Sequence, residues 1–173
     1  MNEPTRPRMR FRKAESKDLP ALTAIYNQAI EARQTADTLP LTTKDRFPWF
    51  DNHQKEQYPL IVVAIGPQII GYGTLSPYRG GRPSLLTIAE VSYYLHEDYQ
   101  RRGIGSLLLQ YLMNTAAKLG YKHLFALLLD TNHASIALLD KFDFTPWGHF
   151  PNVAEIDGKT CGQLYYGKAL SGL

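Results

Sequence analysis

The sequence predicts a mixed α/β or α+β sheet with helices on its faces, and three observations carry that expectation. Apolar residues switch between period 2 and helical spacing along the chain. Strand and helix patterns alternate through its middle. Hairpin-like strand pairs stand at both ends. The 173 residues suit one domain with a sizeable core. The expected layout is a flexible tail over 1–8 followed by a single domain over 9–173.

The elements follow in order. Met9 to Lys13 reads as a first short strand. Ser16 then offers an N-cap to a helix of roughly 15 residues, with Leu19, Leu22, Ile25, Tyr26, Ala29 and Ile30 on its buried face. Thr42 or Thr43 would cap a second helix through Trp49, although Pro48 argues for a break. Leu60 to Ile65 and Ile69 to Leu75 read as a hairpin about the Gly66-Pro67 turn. Arg79 to Pro83 is a flexible loop, and Thr87 to His96 is the longest strand candidate. From Gly103 to Leu119 the period becomes helical. Ile104, Leu107, Leu108, Tyr111, Leu112 and Leu119 share one face, and Gly120 stops the helix. Tyr121 to Leu129 reads as a buried strand and Asn132 to Lys141 as a short helix. Phe142 to Trp147 and Gln163 to Leu170 would close the sheet.

Composition excludes several classes. Hydrophobic residues make up 44%, charged residues 20%, and the net charge is +3. That charge is too mild to name nucleic acid as a partner, and suits an anionic small ligand equally well. The basic start, with Arg6, Arg8 and Arg10, reads as a solvated terminus. It has no apolar core of a secretory signal, and no stretch reaches the ~20 apolar residues of a membrane span. The single cysteine, Cys161, forms no internal disulfide. A cytoplasmic location is expected. His123 and His133 lack metal-ligand spacing, so no metal site is expected.

The chemistry gathers between Glu90 and Ser106. A strand leads through Gln100-Arg101-Arg102-Gly103-Ile104-Gly105-Ser106 directly into a helix. Unpaired N–H groups and a partial positive charge stand at a helix N-terminus. Glycines let the backbone approach a phosphate, and Arg101 and Arg102 add charge. The loop is a pyrophosphate cradle, or a plain strand–turn–helix junction with glycine punctuation. It lacks the Lys and Ser or Thr of a P-loop, and Leu108 stands where a dinucleotide fingerprint needs its third glycine.

Gln-Arg-Arg-Gly-Ile-Gly after a strand resembles the acyl-CoA loop of the GCN5-related N-acetyltransferases. Ile25-Tyr26-Asn27, Gly71-Tyr72-Gly73, Ala89-Glu90-Val91-Ser92 and Asn132 with Ser135-Ile136 resemble the phosphinothricin and amino-acid N-acetyltransferase branch, over nearly the whole chain. The resemblance implies a mostly antiparallel central sheet with helices on both faces and a splayed parallel strand pair at the cofactor site. It implies acetyl-CoA as acyl donor. Tyr93, Tyr94 and Leu95 would meet the pantetheine arm and acyl group, Arg101, Arg102, Gly103, Ile104, Gly105 and Ser106 would wrap the pyrophosphate, and Asn132 would bond the cofactor's arm. It implies a small-molecule amine as acceptor, an amino acid or amino-acid-like compound. A peptide acceptor near the Tyr78 to Pro83 loop and a non-catalytic CoA-sensing domain are the alternatives. Homodimers are common in the branch.

Glu90 is the expected general base, acting through water. Alternation puts Glu90, Ser92 and Tyr94 on one face of the strand, opposite Val91, Tyr93 and Leu95. Partial burial would raise its pKa; an ion pair or an ammonium anchor is the other reading. Backbone N–H groups of the strand would stabilise the oxyanion. The superfamily's usual tyrosine acid is replaced by Leu139, leaving water, Tyr94 or unassisted thiolate departure. His96 is an alternative base, though a surface histidine at a strand end is the favoured reading, and Cys161 reads as inert rather than as an acyl-cysteine nucleophile. Trp49, Phe50 and Tyr58 are core or acceptor-pocket aromatics. Thr160 and Gly162 replace a tryptophan and an aspartate common in the branch, so a phosphinothricin substrate is not inferred. Asp143 stands for a glycine and tolerates a left-handed conformation.

Overall fold

The structure, a computed structural model, describes residues 8–170. Residues 1–7, including Arg6 and most of the expected tail, and 171–173 lie outside it. The strands are β1 (Met9–Lys13), β2 (Leu60–Ile65), β3 (Gln68–Pro77), β4 (Ile88–Leu95), β5 (His123–Leu129), β6 (Thr145–Ile156) and β7 (Lys159–Ala169). The helices are α1 (Leu19–Glu31), α2 (Phe47–Asn52), α3 (Ile104–Lys118) and α4 (His133–Lys141). One seven-stranded sheet runs in the order β1-β2-β3-β4-β5-β7-β6. Every pairing is antiparallel except β4 with β5.

Helices cover both faces. Leu19, Leu22 and Ile25 of α1 and Phe50 of α2 pack on Leu60, Val62 and Tyr72. Leu108 and Leu112 of α3, with Leu139 of α4, pack on Ile61, Val63 and Leu124 from the other side. Both sides of β2 are therefore apolar, as a central strand requires. No helix among the described residues is long and apolar enough to cross a membrane.

Several local expectations need correction. Glu15, not Ser16, caps the first helical turn, in a reciprocal box with Asp18. Tyr26 is only half-buried. Pro48 lies in the first turn of α2 and starts it rather than breaking it. On α3, Leu107 and Tyr111 are exposed at 51% and 36%. Leu109 and Met113 take their places in the core, because the sheet contacts the neighbouring stripe of the helix. Phe11 of β1 stacks on Tyr111 at 4.8 Å and covers it partly.

The largest difference is the closing hairpin. β6 spans 12 residues and β7 spans 11, so β4, with 8, is not the longest strand. Pro146 and Pro151 argue against a strand, and the register slips near both, so β-bulges absorb them. Asp157 and Gly158 turn the chain with φ of 53° and 72°, the Asp-Gly signal of a two-residue hairpin. Asp143 is left-handed as expected, with φ 59°.

Asp18 pins β1 to α1. Its buried carboxylate accepts from Arg12 Nη1 at 2.7 Å and Nη2 at 2.9 Å, and from the Glu15 N–H at 2.8 Å. Burial pushes its pKa up, but the Arg12 and Glu15 bonds and the nearby charges outweigh that, and it lies below the ordinary value. A lowered carboxyl pKa contributes stability above the unfolded value of ~3.9, lost as pH falls through the folded value. Asp18→Asn is expected to lose about 1–3 kcal/mol at pH 7. In urea unfolding, its gap from wild type should close below roughly pH 4.

Candidate functional site

β4 and β5 pair only at Ile88–His123, Ala89–Leu124 and Glu90–Phe125. Beyond Glu90 the strands part, and a cavity of about 370 Å³ opens between Val91–Leu95 and Ala126–Leu128. The His96 N–H donates to Ile70 of β3. By the alternation of an antiparallel ladder, Val91, Tyr93 and Leu95 then turn their backbone groups away from β3; past the last bridge at Glu90–Phe125, the Tyr93 N–H and C=O and the Leu95 N–H face the gap. The splay expected from the resemblance is present, and it exposes those backbone groups.

The N-terminus of α3 closes one end of this cavity. Gly103 is its N-cap, with a left-handed φ of 79°. Arg101 is also left-handed, φ 58°, a conformation non-glycine residues hold only under local constraint. The Gln100 amide donates to Leu95 O at 3.3 Å and ties the turn to the end of β4. Arg101, Gly103, Gly105 and Ser106 line the cavity. Arg102 does not; its guanidinium lies 5.4 Å from the Tyr99 ring centroid. The Ile104 side chain is buried in the core, so only its backbone belongs to the turn. Lys141, at the end of α4, donates to Ser106 Oγ at 3.0 Å and brings a cation the sequence reading missed.

Asn132 lines the same cavity, but its side chain is already engaged. Oδ1 accepts from Ser135 N as the cap of α4, and Nδ2 donates to Gln34 O at 3.3 Å. Leu139 is fully buried and offers no proton. Tyr93 also lines the cavity, and its hydroxyl is the one buried side-chain polar atom without a partner among the described residues. Burial pushes its pKa up to about 12; Ser135 pulls against the rise without completing a hydrogen bond. An unpaired strand edge, an open helix N-terminus and an orphaned phenol are the donor set an extended amide-bearing arm with a phosphate end would satisfy. The residues present fit an acyl-CoA.

A second cavity, about 290 Å³, lies on the α1–α2 side of β4. Glu90 lines it, with Tyr26, Arg46, Trp49 and Tyr72 around the walls, and Ser92 and Tyr94 line both cavities. Ser92 and Tyr94, which alternation places on the same face as Glu90, are thus the wall that the cavities share, and Glu90 opens on the second alone. Glu90 is half-buried, and burial raises its pKa, opposed by the Ser92 hydroxyl. Tyr94 is held well above the ordinary phenol range by burial and stays neutral. His53 sits at the back, with Nδ1 2.7 Å from Trp49 O and Nε2 2.8 Å from Ser76 Oγ. Burial lowers its pKa, and the Arg46 charge lowers it further.

The other sequence candidates fall elsewhere. His96 Nδ1 accepts from Asp98 N at 3.3 Å, outside both cavities. Cys161 is buried with Leu129 and Ile156. Trp49 lines the second cavity, Phe50 is core beneath it, and Tyr58 packs against the opposite core. Among the described residues no group of three His, Cys, Asp or Glu side chains could hold a metal. Arg46 and His53 were missed, and Tyr72 entered only within the resembling Gly71-Tyr72-Gly73 motif, because nothing in a local pattern marks residues that converge from separate elements.

Residues 22–144 match the Acetyltransferase (GNAT) family. YwnH of Bacillus subtilis, named provisionally as a phosphinothricin acetyltransferase, is 37% identical over 94% of this chain and 100% of its own. The L-methionine sulfoximine/L-methionine sulfone acetyltransferase of Pseudomonas aeruginosa is 32% identical over 86% of this chain and 87% of its own. Among solved structures, yncA of Salmonella typhimurium, with its cofactor acetyl-CoA, superposes with a TM-score of 0.86 at 26% identity, covering 95% of each chain.

Proposed function

The chain belongs to the GNAT acetyltransferase family, and from that premise we propose that it transfers an acetyl group from acetyl-CoA to the primary amine of a small amino-acid-like compound. One observation carries the reading. Two cavities share a single strand wall; one reaches a helix N-terminus fit for a pyrophosphate, and the other holds a half-buried carboxylate with a raised pKa. The amine acceptor follows from the relatives, whose names include an acetyltransferase of amino-acid analogues. A cytoplasmic compartment, where acetyl-CoA is available, fits this reading.

When bound, the donor supplies an activated acyl carbon. Backbone groups of Tyr93 and Leu95 hold the pantetheine arm and thioester oxygen, and the N–H groups there stabilise developing negative charge, worth roughly 2.7–4 kcal/mol per donor in other enzymes. Arg101 and the first N–H groups of α3, from Ile104 to Ser106, hold the pyrophosphate, with Arg102 adding charge at longer range. Asn132 orders the start of α4 along the arm. Glu90, through a water, takes the proton from the acceptor's ammonium and leaves the neutral amine to attack the acyl carbon. The thiolate, whose conjugate thiol has a free pKa near ~8.5, is a tolerable leaving group without assistance; water or the Tyr94 hydroxyl, which lines both cavities, is the proton source open to it.

The test is thiol release from acetyl-CoA against free amino acids, methionine sulfone, phosphinothricin, polyamines and short peptides. Turnover confined to amino-acid-like amines supports the proposal. Turnover only with peptides overturns the acceptor class, and acetyl-CoA binding without any turnover overturns the catalytic reading. Gly103→Ala checks the cradle. The new Cβ meets nothing within 4 Å, so the effect is conformational, about 1–2 kcal/mol for a forced left-handed residue. It is expected to raise the KM for acetyl-CoA while leaving kcat nearly unchanged.

A further inference from the structure

Arg46 is a buried arginine, 5% exposed, in the wall of the second cavity. Its guanidinium carbon lies 3.8 Å from the Trp49 ring centroid and 4.4 Å from that of Tyr26. Its recorded hydrogen bonds are two long ones, 3.3 and 3.4 Å, both to the neutral Tyr72 hydroxyl. Among the described residues no carboxylate comes within 4.0 Å of it. Three acidic residues line the same cavity; Glu90 forms no ion pair with Arg46, and the other two are engaged elsewhere. Asp37 accepts from the Tyr26 hydroxyl, and Asp45 accepts from Thr42 N and Oγ.

A buried cation without a counter-charge is costly. Aromatic faces offset part of that by cation–π attraction, but they cover the faces of the guanidinium and leave its edge. That edge carries five donors in a planar fork matched to a carboxylate. Among the described residues Arg46 is the one fixed cation lining the cavity, because burial lowers the pKa of His53. Glu90 lines the same space, so one small pocket offers a base for an amine and a fork for an anion.

We propose that Arg46 binds the carboxylate of the acceptor, which makes the preferred substrate an α-amino acid or an analogue keeping that acid, rather than a simple amine. This rests on the function proposed above, and the experiment separates the two. Wild type, Arg46→Met and Arg46→Lys are assayed with methionine sulfone, with its primary amide, and with the amine lacking the carboxyl group. Acetyl-CoA affinity and melting temperature show that each variant is folded. Wild type is expected to prefer the acid. Arg46→Met should lose roughly 10–100-fold in kcat/KM on the acid, the worth of a charge-assisted bond, mostly in KM. It should change little on the amide and the amine, so the preference collapses. Arg46→Lys should retain part of the preference, since it keeps the charge without the fork.

An equal loss on all three acceptors would overturn the proposal and make Arg46 a prop for the aromatic walls. A preference for the acid that survives in Arg46→Met would overturn it too. The desamino acid of methionine sulfone gives a readout independent of turnover. If wild type acetylates none of these amines, yet that acid raises its melting temperature and not that of Arg46→Met, the carboxylate site stands and the proposed reaction falls. If the acid stabilises neither protein, or both alike, the site falls.

Discussion

Glu90→Gln is expected to lower kcat by about 10²–10⁴-fold, the usual worth of a positioned general base, with acetyl-CoA affinity unchanged. The side chain lines the second cavity and not the first, so donor binding does not depend on its charge. The pH profile provides the sharper check. Burial raises the Glu90 pKa, so the rising limb of wild-type kcat/KM should lie above the ~4.3 of an unperturbed glutamate. That limb should vanish in the variant. The stability effect has the opposite sign from the loss of activity. A raised carboxyl pKa means that the folded state holds its proton more tightly than the unfolded chain does. Wild type therefore loses stability as pH rises from the unfolded value through the folded one. Gln carries no such penalty, so the variant should melt at or above wild type at pH 8 and gain less near pH 4. Full activity in Glu90→Gln, with an unchanged profile, would remove Glu90 from the chemistry.

Leu112→Ala is expected to cost about 2–5 kcal/mol, the range for emptying a fully buried leucine site, and to lower the melting temperature by about 4–20 °C for a chain of this size. Leu112 is fully buried in the middle of α3. It sits so close over β3 that a Cβ on Gly73 would lie 2.5 Å from its Cδ1. The glycine and the leucine thus fit as a pair, and the site has little freedom to collapse around an alanine. Leu107→Ala, five residues earlier on the same helix but half in solvent, should change stability by no more than about 0.5 kcal/mol. Urea unfolding with unchanged slopes would verify both values. Similar losses at the two positions would mean that α3 packs on a different stripe.

That pair also shows how far local pattern reaches. Helical spacing placed both leucines on one face, which is correct for a helix seen alone. Their fates diverge because the apolar stripe is wider than the contact, and only the position of the sheet decides which edge is covered. Period-2 alternation did better on β4. It put Glu90, Ser92 and Tyr94 on one side and Val91, Tyr93 and Leu95 on the other, and the packing agrees. A strand has two faces and a short repeat, so little else is needed. The closing hairpin failed for a third reason. Its Asp157-Gly158 turn was passed over, and the prolines and largely exposed residues of β6 conceal a strand whose irregularities are bulges.

The sequence by itself determined the order of strands and helices, the strand-to-helix turn at Gln100–Ser106, and the face on which Glu90 lies. Each depends on residues within a few positions of one another, where backbone geometry and side-chain period act directly. Only the tertiary structure decided that β4 and β5 separate after Glu90, that the Tyr93 hydroxyl is left without a partner, and that Arg46 is buried between Tyr26 and Trp49 against Tyr72. In the chain Arg46 is one more basic residue in the polar Thr42–Arg46 stretch. Its burial and its isolation from carboxylates come from α1, α2 and β3 meeting in space, and a local pattern carries no record of what distant segments will surround.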